Sequence, residues 1–259
     1  MIFRRKRKQE AAEAEPEVAA DAAADDDTDP DEDTEDAAAT TGDPELAALD
    51  VLDWRTEGPW DISEVDDLVG TDTAPKIDLG SLVVTGVPGS ELRLQVAEET
   101  KEIVSAMLII ETAVETAGRK QTFSSALELG AYAAPRSGGL WAELREEISA
   151  AATAQGGSAS LREGPFGVEL HRFIPVTTPD GEQGYQPSRM WVAEGPRWLL
   201  RGIVYGQAAV EEDLESPVVA DVLSAFRQVV VRRGDEAMAP GDLLPLRMPT
   251  AVGAEEEST

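Results

Sequence analysis

Residues 168–205 decide the fold: VELHRFIPVTTPDGEQGYQPSRMWVAEGPRWLLRGIVY. Three runs rich in apolar and β-branched residues are separated by two short turn sequences, TPDG at 178–181 and EGP at 194–196. Runs of this kind, bounded by Pro, Gly and Asp, predict strands. Because parallel strands need a long crossover, the short turns predict antiparallel pairing. The three predicted strands are Val168–Val176, Ser188–Ala193 and Trp198–Tyr205.

Two amphipathic helices are predicted on either side of this stretch. The first begins near Ser137, and the second has Ser216 as its N-cap and Pro217 at its first position, where proline is favoured. Each helix has one apolar stripe at helical spacing. The stripes are Leu140, Leu144, Ile148 and Ala151 in the first helix, and Val219, Val222, Leu223 and Phe226 in the second.

Further strands are predicted before the first helix and after the second. The alternation of Glu91–Val96 is typical of a half-buried strand. The others are 78–84, 103–110, a run carrying Leu127, Leu129, Ala131 and Ala133, and 229–231. The order strands, helix, strands, helix predicts an α+β fold. We expect an antiparallel sheet of about 6–8 strands with two main helices packed on one face, preceded by a disordered acidic N-terminal tail.

Charge and composition divide the chain into three parts. The net charge is −29, yet residues 10–50 hold 17 Asp or Glu and no Lys or Arg, whereas residues 71–235 hold 23 acidic and 15 basic residues. A segment with so few large apolar side chains cannot offset its ordering entropy, which predicts disorder. The predicted parts are a tail with a basic start at 1–70, a single α+β domain at 71–235, and a Pro-containing acidic C-terminal tail at 236–259.

Composition also excludes several classes of function. The chain has no cysteine and one histidine, His171, so disulfides, thiolate metal sites and cysteine nucleophiles are ruled out. We predict no catalytic set, no metal site and no cofactor. A mildly acidic domain argues against binding to a nucleic acid backbone. With no membrane span and no apolar run after the basic start, we expect a cytoplasmic protein.

Five sequence motifs together resemble a known family. They are IDLGSL at 77–82, APRSGGLW at 134–141, GPFG at 164–167, GPRWLLRG at 195–202 and RRGDEAM at 232–238. Over roughly residues 60–250 they resemble uncharacterised actinobacterial proteins, catalogued as domain of unknown function family 3710. The resemblance implies an actinobacterial cytoplasmic protein, and it implies no activity because the family has none assigned.

One candidate ligand site lies where a predicted strand meets the first helix. The residues are Arg136, Ser137, Gly138, Gly139 and Trp141. Glycines let a ligand approach the backbone, free N–H groups at a helix start favour an anion, and an arginine adds a forked donor. The alternative is structural: the serine caps the helix, the glycines form the turn, and the tryptophan packs in the core.

A second candidate is a basic patch formed by Arg189, Arg197 and Arg201 on neighbouring strands. These arginines could instead pair with nearby carboxylates, or with the acidic tail. In the tail, Trp54 and Trp60 either form a short segment that binds a partner or dock on the domain itself.

These observations favour a non-enzymatic protein-interaction module with a regulatory acidic tail, binding a partner through the tail or the sheet face. The first alternative is a domain, enzymatic or not, that binds an anion or phosphorylated metabolite at residues 136–141. The second is an accessory role in nucleotide or nucleic-acid metabolism. The sequence leaves the oligomeric state open.

Overall fold

Long-range strand pairing organises most of the chain. The computed structural model describes residues 44–52, 54–66, 68, 74–116, 118–178 and 180–251. The disordered tail and basic start predicted for the N-terminus therefore lie outside the described residues as far as residue 43, and the end of the C-terminal tail lies outside them from residue 252.

Twelve strands of the described part of the chain form one sheet. They are β1 (Trp60–Asp61), β2 (Lys76–Gly80), β3 (Leu82–Thr85), β4 (Glu91–Val96), β5 (Ile103–Thr116), β6 (Arg119–Ala133), β7 (Ser158–Gly164), β8 (Gly167–Thr177), β9 (Gln183–Gly195), β10 (Trp198–Gly206), β11 (Val230–Val231) and β12 (Leu246–Ala251). Their order is β1-β11-β3-β2-β12-β5-β6-β10-β9-β8-β7, and β4 also pairs with β5. The β1–β11 pair is parallel and the other pairs are antiparallel, so the sheet is mixed.

The described part of the chain also contains four helices and one short 3₁₀ turn. The helices are α1 (Pro44–Leu49), α2 (Leu140–Ala154), α3 (Gln207–Val210) and α4 (Pro217–Arg227), and the 3₁₀ turn spans Ile62–Glu64. The start predicted for α4 is confirmed, since the Ser216 side chain accepts a hydrogen bond from the Val219 N–H and Pro217 follows it. Its stripe is buried, with Phe226 fully enclosed.

The two main helices cover opposite faces of the sheet. On β10, Leu200 belongs to the cluster packed around Phe226 of α4, whereas its neighbour Leu199 belongs to the cluster packed around Trp141 of α2. We call these surfaces the α4 face and the α2 face. Because adjacent residues of a strand point to opposite sides, β10 is largely buried on both faces, and its sequence is mostly apolar apart from Arg201.

The predicted fold class is wrong in two respects. The sheet is a mixed sheet of twelve strands, not an antiparallel sheet of 6–8, and the two helices do not share one face. An apolar stripe shows which side of a helix is buried, but not which face of the sheet receives it. The two-residue strands β1 and β11 have no periodicity to detect and exist only because they pair with each other over a long distance.

Strand pairing continues beyond the predicted domain limits. Strand β12 lies between β2 and β5 and comes from the region predicted as the C-terminal tail. Strand β1 comes from the region predicted as the N-terminal tail and pairs with β11. The predicted antiparallel arrangement of β8, β9 and β10 is confirmed, with Leu170 opposite Met190 and Met190 opposite Ile203.

Candidate functional site

The helix start predicted to bind an anion already holds a carboxylate of the chain. Glu194, at the end of β9, accepts hydrogen bonds from the backbone N–H groups of Gly139 and Trp141, each at 2.7 Å. Gly139 precedes the first residue of α2 and has a φ of +83°, which a glycine adopts without strain. Glu194 thus satisfies N–H groups that would otherwise lack partners, and its charge complements the helix dipole.

The remaining residues of that candidate site are divided between solvent and core. Arg136 and Ser137 are exposed. Trp141 is only 6% exposed, and its indole N–H donates to the Val168 carbonyl oxygen at 2.7 Å. The segment therefore has the structural role described as the alternative: the glycines form the turn and Trp141 packs in the core. The cap of the helix, however, is Glu194 and not Ser137, and Glu194 is 53 positions from Trp141.

The three arginines of the predicted basic patch lie in three different places. Arg189 is buried on the α4 face, and Arg201 lies half-buried on the α2 face. Arg197 is exposed in the turn between β9 and β10 and has a φ of 63°. They share no common surface. Arg201 lies opposite Val192 of β9, and Arg189, three residues from Val192 on that strand, points to the other face of the sheet.

Arg189 takes part in a buried polar network at the end of the α4 face. Its Nη2 donates to the Glu211 carbonyl oxygen at 2.7 Å, and its Nε lies 3.5 Å from Oε1 of Glu169. Glu169 also accepts a hydrogen bond from the Trp191 indole at 2.8 Å and contacts His171. The His171 side chain is 12% exposed, so it does not lie on a solvated surface. The network joins β8 to β9 and supports the core.

A second group of polar side chains gathers on the α2 face. We call it the arginine–tyrosine cluster; it comprises Arg172, Arg201, Tyr132, Tyr205 and Glu128. The Tyr205 hydroxyl donates to Oε2 of Glu128 at 3.1 Å, and the Arg201 guanidinium lies 5.0 Å from the centre of the Tyr132 ring. The sequence indicated Arg201, but Arg172 and the tyrosines were missed, since their proximity depends on strand register.

Burial and neighbouring charges shift the pKa values of three side chains in this cluster. Burial, together with the charge and hydrogen bond of Glu128, raises the pKa of Tyr205 to about 12. Burial also raises the pKa of Tyr132. The pKa of Arg172 is lowered, chiefly by burial and further by the positive charge of Arg201. The cluster thus holds two positive charges that are partly removed from water.

The two aromatic patches predicted around Trp54 and Trp60 pack on the sheet domain. The Trp54 indole donates to the Leu49 carbonyl oxygen at 2.8 Å, and its ring packs against the core of the α4 face. Trp60 donates its backbone N–H to the Val229 carbonyl oxygen at 2.9 Å, in the β1–β11 pair. Of the two alternatives, docking on the domain describes both residues.

Ion pairs attach the same N-terminal segment to the rest of the fold. Asp50 forms a two-pronged ion pair with Arg145 of α2, at 2.5 and 2.7 Å. Asp61 is buried and accepts a hydrogen bond from the Trp198 indole at 2.7 Å. Burial by itself would raise the pKa of Asp61, but hydrogen bonds from Ser63 and Trp198 and the nearby Arg55 charge outweigh it and lower the pKa.

A cavity of about 110 Å³ lies between this segment and the start of α2. Its lining includes Leu49, Trp54, Trp141, Phe166 and the carboxylate-bearing Glu194. Because that carboxylate already caps α2, the cavity offers little polar chemistry to a ligand.

Aromatic side chains also protrude at the far end of the β8–β9 hairpin. Phe173 is 47% exposed and lies opposite Pro187, and Tyr185 is 64% exposed and lies opposite Pro175. All four residues lie on the α4 face, and we call them the hairpin patch. Apolar groups exposed together in this way mark interaction surfaces more often than isolated ones do.

Within the described residues, no group of three or more His, Asp or Glu side chains is placed to hold a metal ion. No helix in that part of the chain is both long and apolar enough to cross a bilayer. The described residues define a class of fold: one mixed sheet with a main helix packed on each face.

The chain belongs to the family described as protein of unknown function (DUF3710), whose model matches residues 58–255. The resemblance found in the sequence is thereby confirmed for the family. No curated protein and no solved structure matches the chain. The function of the protein is therefore unknown.

Proposed function

We propose that this protein is a non-enzymatic interaction module that binds an extended, basic segment of a partner protein along β7 and the hairpin patch. The observation that carries the proposal is the exposure of Phe173 and Tyr185 on one face of the β8–β9 hairpin. Aromatic side chains are enriched at protein interfaces, since they bury a large area with few rotatable bonds.

The edge of the sheet supports an extended occupant. Strand β7 is the last strand of the sheet and pairs only with β8 in the described part of the chain. Its outer backbone groups can accept another strand, as in β-augmentation. Ser158 lies opposite Phe173, so a small side chain separates the aromatic ring from the edge. An added strand can place an apolar side chain against that ring.

Charge supports a basic occupant. Asp180 and Glu182, in the turn of the β8–β9 hairpin, are exposed. On β7, Glu163 is exposed beside Arg162, which pairs with Glu212. Residues 71–235, which include this hairpin, hold 23 acidic and 15 basic residues. Complementary charge steers association and discriminates against acidic partners. A positively charged segment with apolar residues at every second position fits both the edge and the patch.

A photo-crosslinking experiment tests this function. A photoreactive phenylalanine analogue replaces Phe173 in the full-length protein inside cells, and crosslinked peptides are identified by mass spectrometry. The matched control carries the analogue at Met248, which is 71% exposed on β12. We expect position 173 alone to capture a basic segment of another protein, and a synthetic peptide of that segment to bind wild type but not Phe173→Ser/Tyr185→Ser.

Two results would contradict the proposal. Crosslinks only to the same sequence would make the occupant a second copy of this chain, and sedimentation velocity would then show a dimer that Phe173→Ser dissociates. Equal crosslinking from positions 173 and 248 would show that the patch has no specific partner.

A cytoplasmic location and an actinobacterial source also belong to the proposal. The lack of cysteine in the chain supports a reducing compartment. The regulatory role of the acidic tail stays a prediction, to be tested by comparing crosslinks of the full chain with those of a chain lacking residues 1–43.

A further inference from the structure

We propose that the arginine–tyrosine cluster on the α2 face binds a small organic oxyanion, a phosphate or a carboxylate. The site is independent of the hairpin patch, which lies on the opposite face. It also differs from the helix start at residues 136–141, where Glu194 already supplies the anion.

Strand register brings the cluster together. Arg172 of β8 lies opposite Ser188 of β9. Tyr205 of β10 is level with Ser188, because the preceding pair is Val204 with Arg189. Arg201 is four residues before Tyr205 on the same strand and therefore points to the same face. Three adjacent strands thus direct two guanidinium groups and two hydroxyl groups to one region of the α2 face.

Three buried polar atoms of this region lack hydrogen-bond partners within the described residues. Across the described residues, the side chains of Arg172 and Arg201 form no hydrogen bond or ion pair, and the buried Nε atom of each has no partner. The Nε atoms of Arg189, Arg227 and Arg233 lack hydrogen-bond partners as well. The Ser188 hydroxyl, in a residue 3% exposed, also has none. Buried polar groups without partners are costly, so native structures rarely retain them. An oxyanion between the arginines would satisfy these donors.

Three other half-buried or buried arginines differ from this pair because each has a carboxylate nearby, although the Nε and Nη1 atoms of Arg189 also lack hydrogen bonds. Arg145 pairs with Asp50, Arg189 lies beside Glu169, and Arg232 pairs with Asp78. The one carboxylate of the cluster, Glu128, accepts its hydrogen bond from Tyr205 instead of from an arginine. Glu128 therefore leaves the guanidinium groups free to bind a ligand, while its charge opposes an anion at that position.

The neighbouring surface suits the organic part of a ligand. On β5, Leu108 and Ile110 face α4 and are each 1% exposed, whereas Met107 and Ile109 point to the α2 face and are only half-buried. Glu128 lies opposite Met107 across the β5–β6 pair. An apolar group attached to the oxyanion can rest on Met107 and Ile109, as expected for a site that combines apolar walls with a few polar contacts.

Binding of phenyl phosphate and benzoate to the full chain tests the site, by calorimetry at constant ionic strength. Inorganic phosphate and neutral phenol are the comparison compounds, because each contains only one part of phenyl phosphate, the oxyanion or the ring. We expect phenyl phosphate or benzoate to bind more tightly than either half. We expect Arg201→Gln and Arg172→Gln each to weaken binding by about tenfold or more, since each removes a charge-assisted donor. Arg197→Gln, at an exposed arginine outside the cluster, is the control.

A variant that is expected to strengthen binding distinguishes an effect on the ligand from an effect on folding. Glu128→Gln removes the opposing charge and should tighten binding severalfold, which a merely structural role would not produce. Arg172→Gln should also keep or raise the melting temperature without ligand, because it removes a partly buried, unpaired charge. The proposal is overturned if no probe binds, if Arg197→Gln matches Arg201→Gln, or if Glu128→Gln weakens binding.

Discussion

At the scale of single residues, three carboxylates stabilise the fold by accepting hydrogen bonds from N–H groups. Asp61 accepts from the Trp198 indole, Glu169 accepts from the Trp191 indole, and Glu194 caps α2. Each therefore joins a polar atom of the core to a distant part of the chain. By contrast, the guanidinium groups of Arg172 and Arg201 lack carboxylate partners in the described residues, and the proposed oxyanion site rests on this difference.

The ionisation of Tyr205 gives a test at this scale. Its pKa is raised to about 12, above the ordinary value of 10.0, by burial and by Glu128. A raised pKa in the folded state means that the contribution to stability is present below pH 10 and is lost as pH rises through about 12. We expect absorbance titration at 295 nm to show a phase near pH 12 that Tyr205→Phe removes. Tyr132, whose pKa burial also raises, should still titrate above its ordinary range in that variant.

Tyr185→Phe is the control for that titration, because this ring is exposed in the hairpin patch. If Tyr205→Phe left the phase near pH 12 unchanged, the environment described for Tyr205 would be wrong.

At the scale of elements, α2 depends on a cap from another strand. Gly139 provides no side chain, and the carboxylate of Glu194 binds two N–H groups of the first turn. Strand β9 and the helix are therefore connected by charge as well as by apolar packing. This connection places Trp141 against the Val168 carbonyl, on the α2 face.

Removal of the Glu194 cap should destabilise the protein. Glu194→Ala should lower the free energy of unfolding by about 1–2 kcal/mol, as loss of a helix N-cap does. Urea denaturation measures the change, and the slope of the transition should stay the same. Glu143→Ala is the matched control, since Glu143 is exposed in the same first turn. Equal losses from both variants would show that Glu194 acts only through its charge near the helix.

At the scale of the whole molecule, the sheet depends on segments from both ends of the described chain. Strand β12 lies between β2 and β5, and β1 pairs with β11. Before β12, Leu244 is fully buried and donates its backbone N–H to the Ala131 carbonyl oxygen at 2.8 Å. The region after residue 235 therefore belongs to the folded core as far as β12.

Truncation tests the contribution of this region. A chain ending at Asp235 loses β12 and buried Leu244 and Leu246, and leaves β2 and β5 without a neighbour between them. We expect it to lose the cooperative thermal transition followed by circular dichroism. The control chain ends at residue 251 and should melt like the full chain. Cooperative melting of the shorter chain at an unchanged temperature would contradict the described role of β12.

Several features could be predicted from sequence because their causes are local. The antiparallel β8–β10 arrangement follows from short turns, and the start of α4 follows from Ser216 and Pro217. The family was also recognisable, because its motifs are continuous in sequence. Of the two arginines in the proposed oxyanion site, the sequence indicated Arg201 but not Arg172, because their proximity depends on strand register.

By itself, then, the sequence determined local elements, the family and the lack of cysteine chemistry. Only the tertiary structure decided which face each helix covers, which carboxylate caps α2, and which arginines remain unpaired. The physical reason is distance along the chain. Glu194 and Trp141 are 53 residues apart, and Arg172 meets Arg201 only through the register of three strands. Periodicity predicts which side of an element is buried, whereas long-range pairing decides what lies against it.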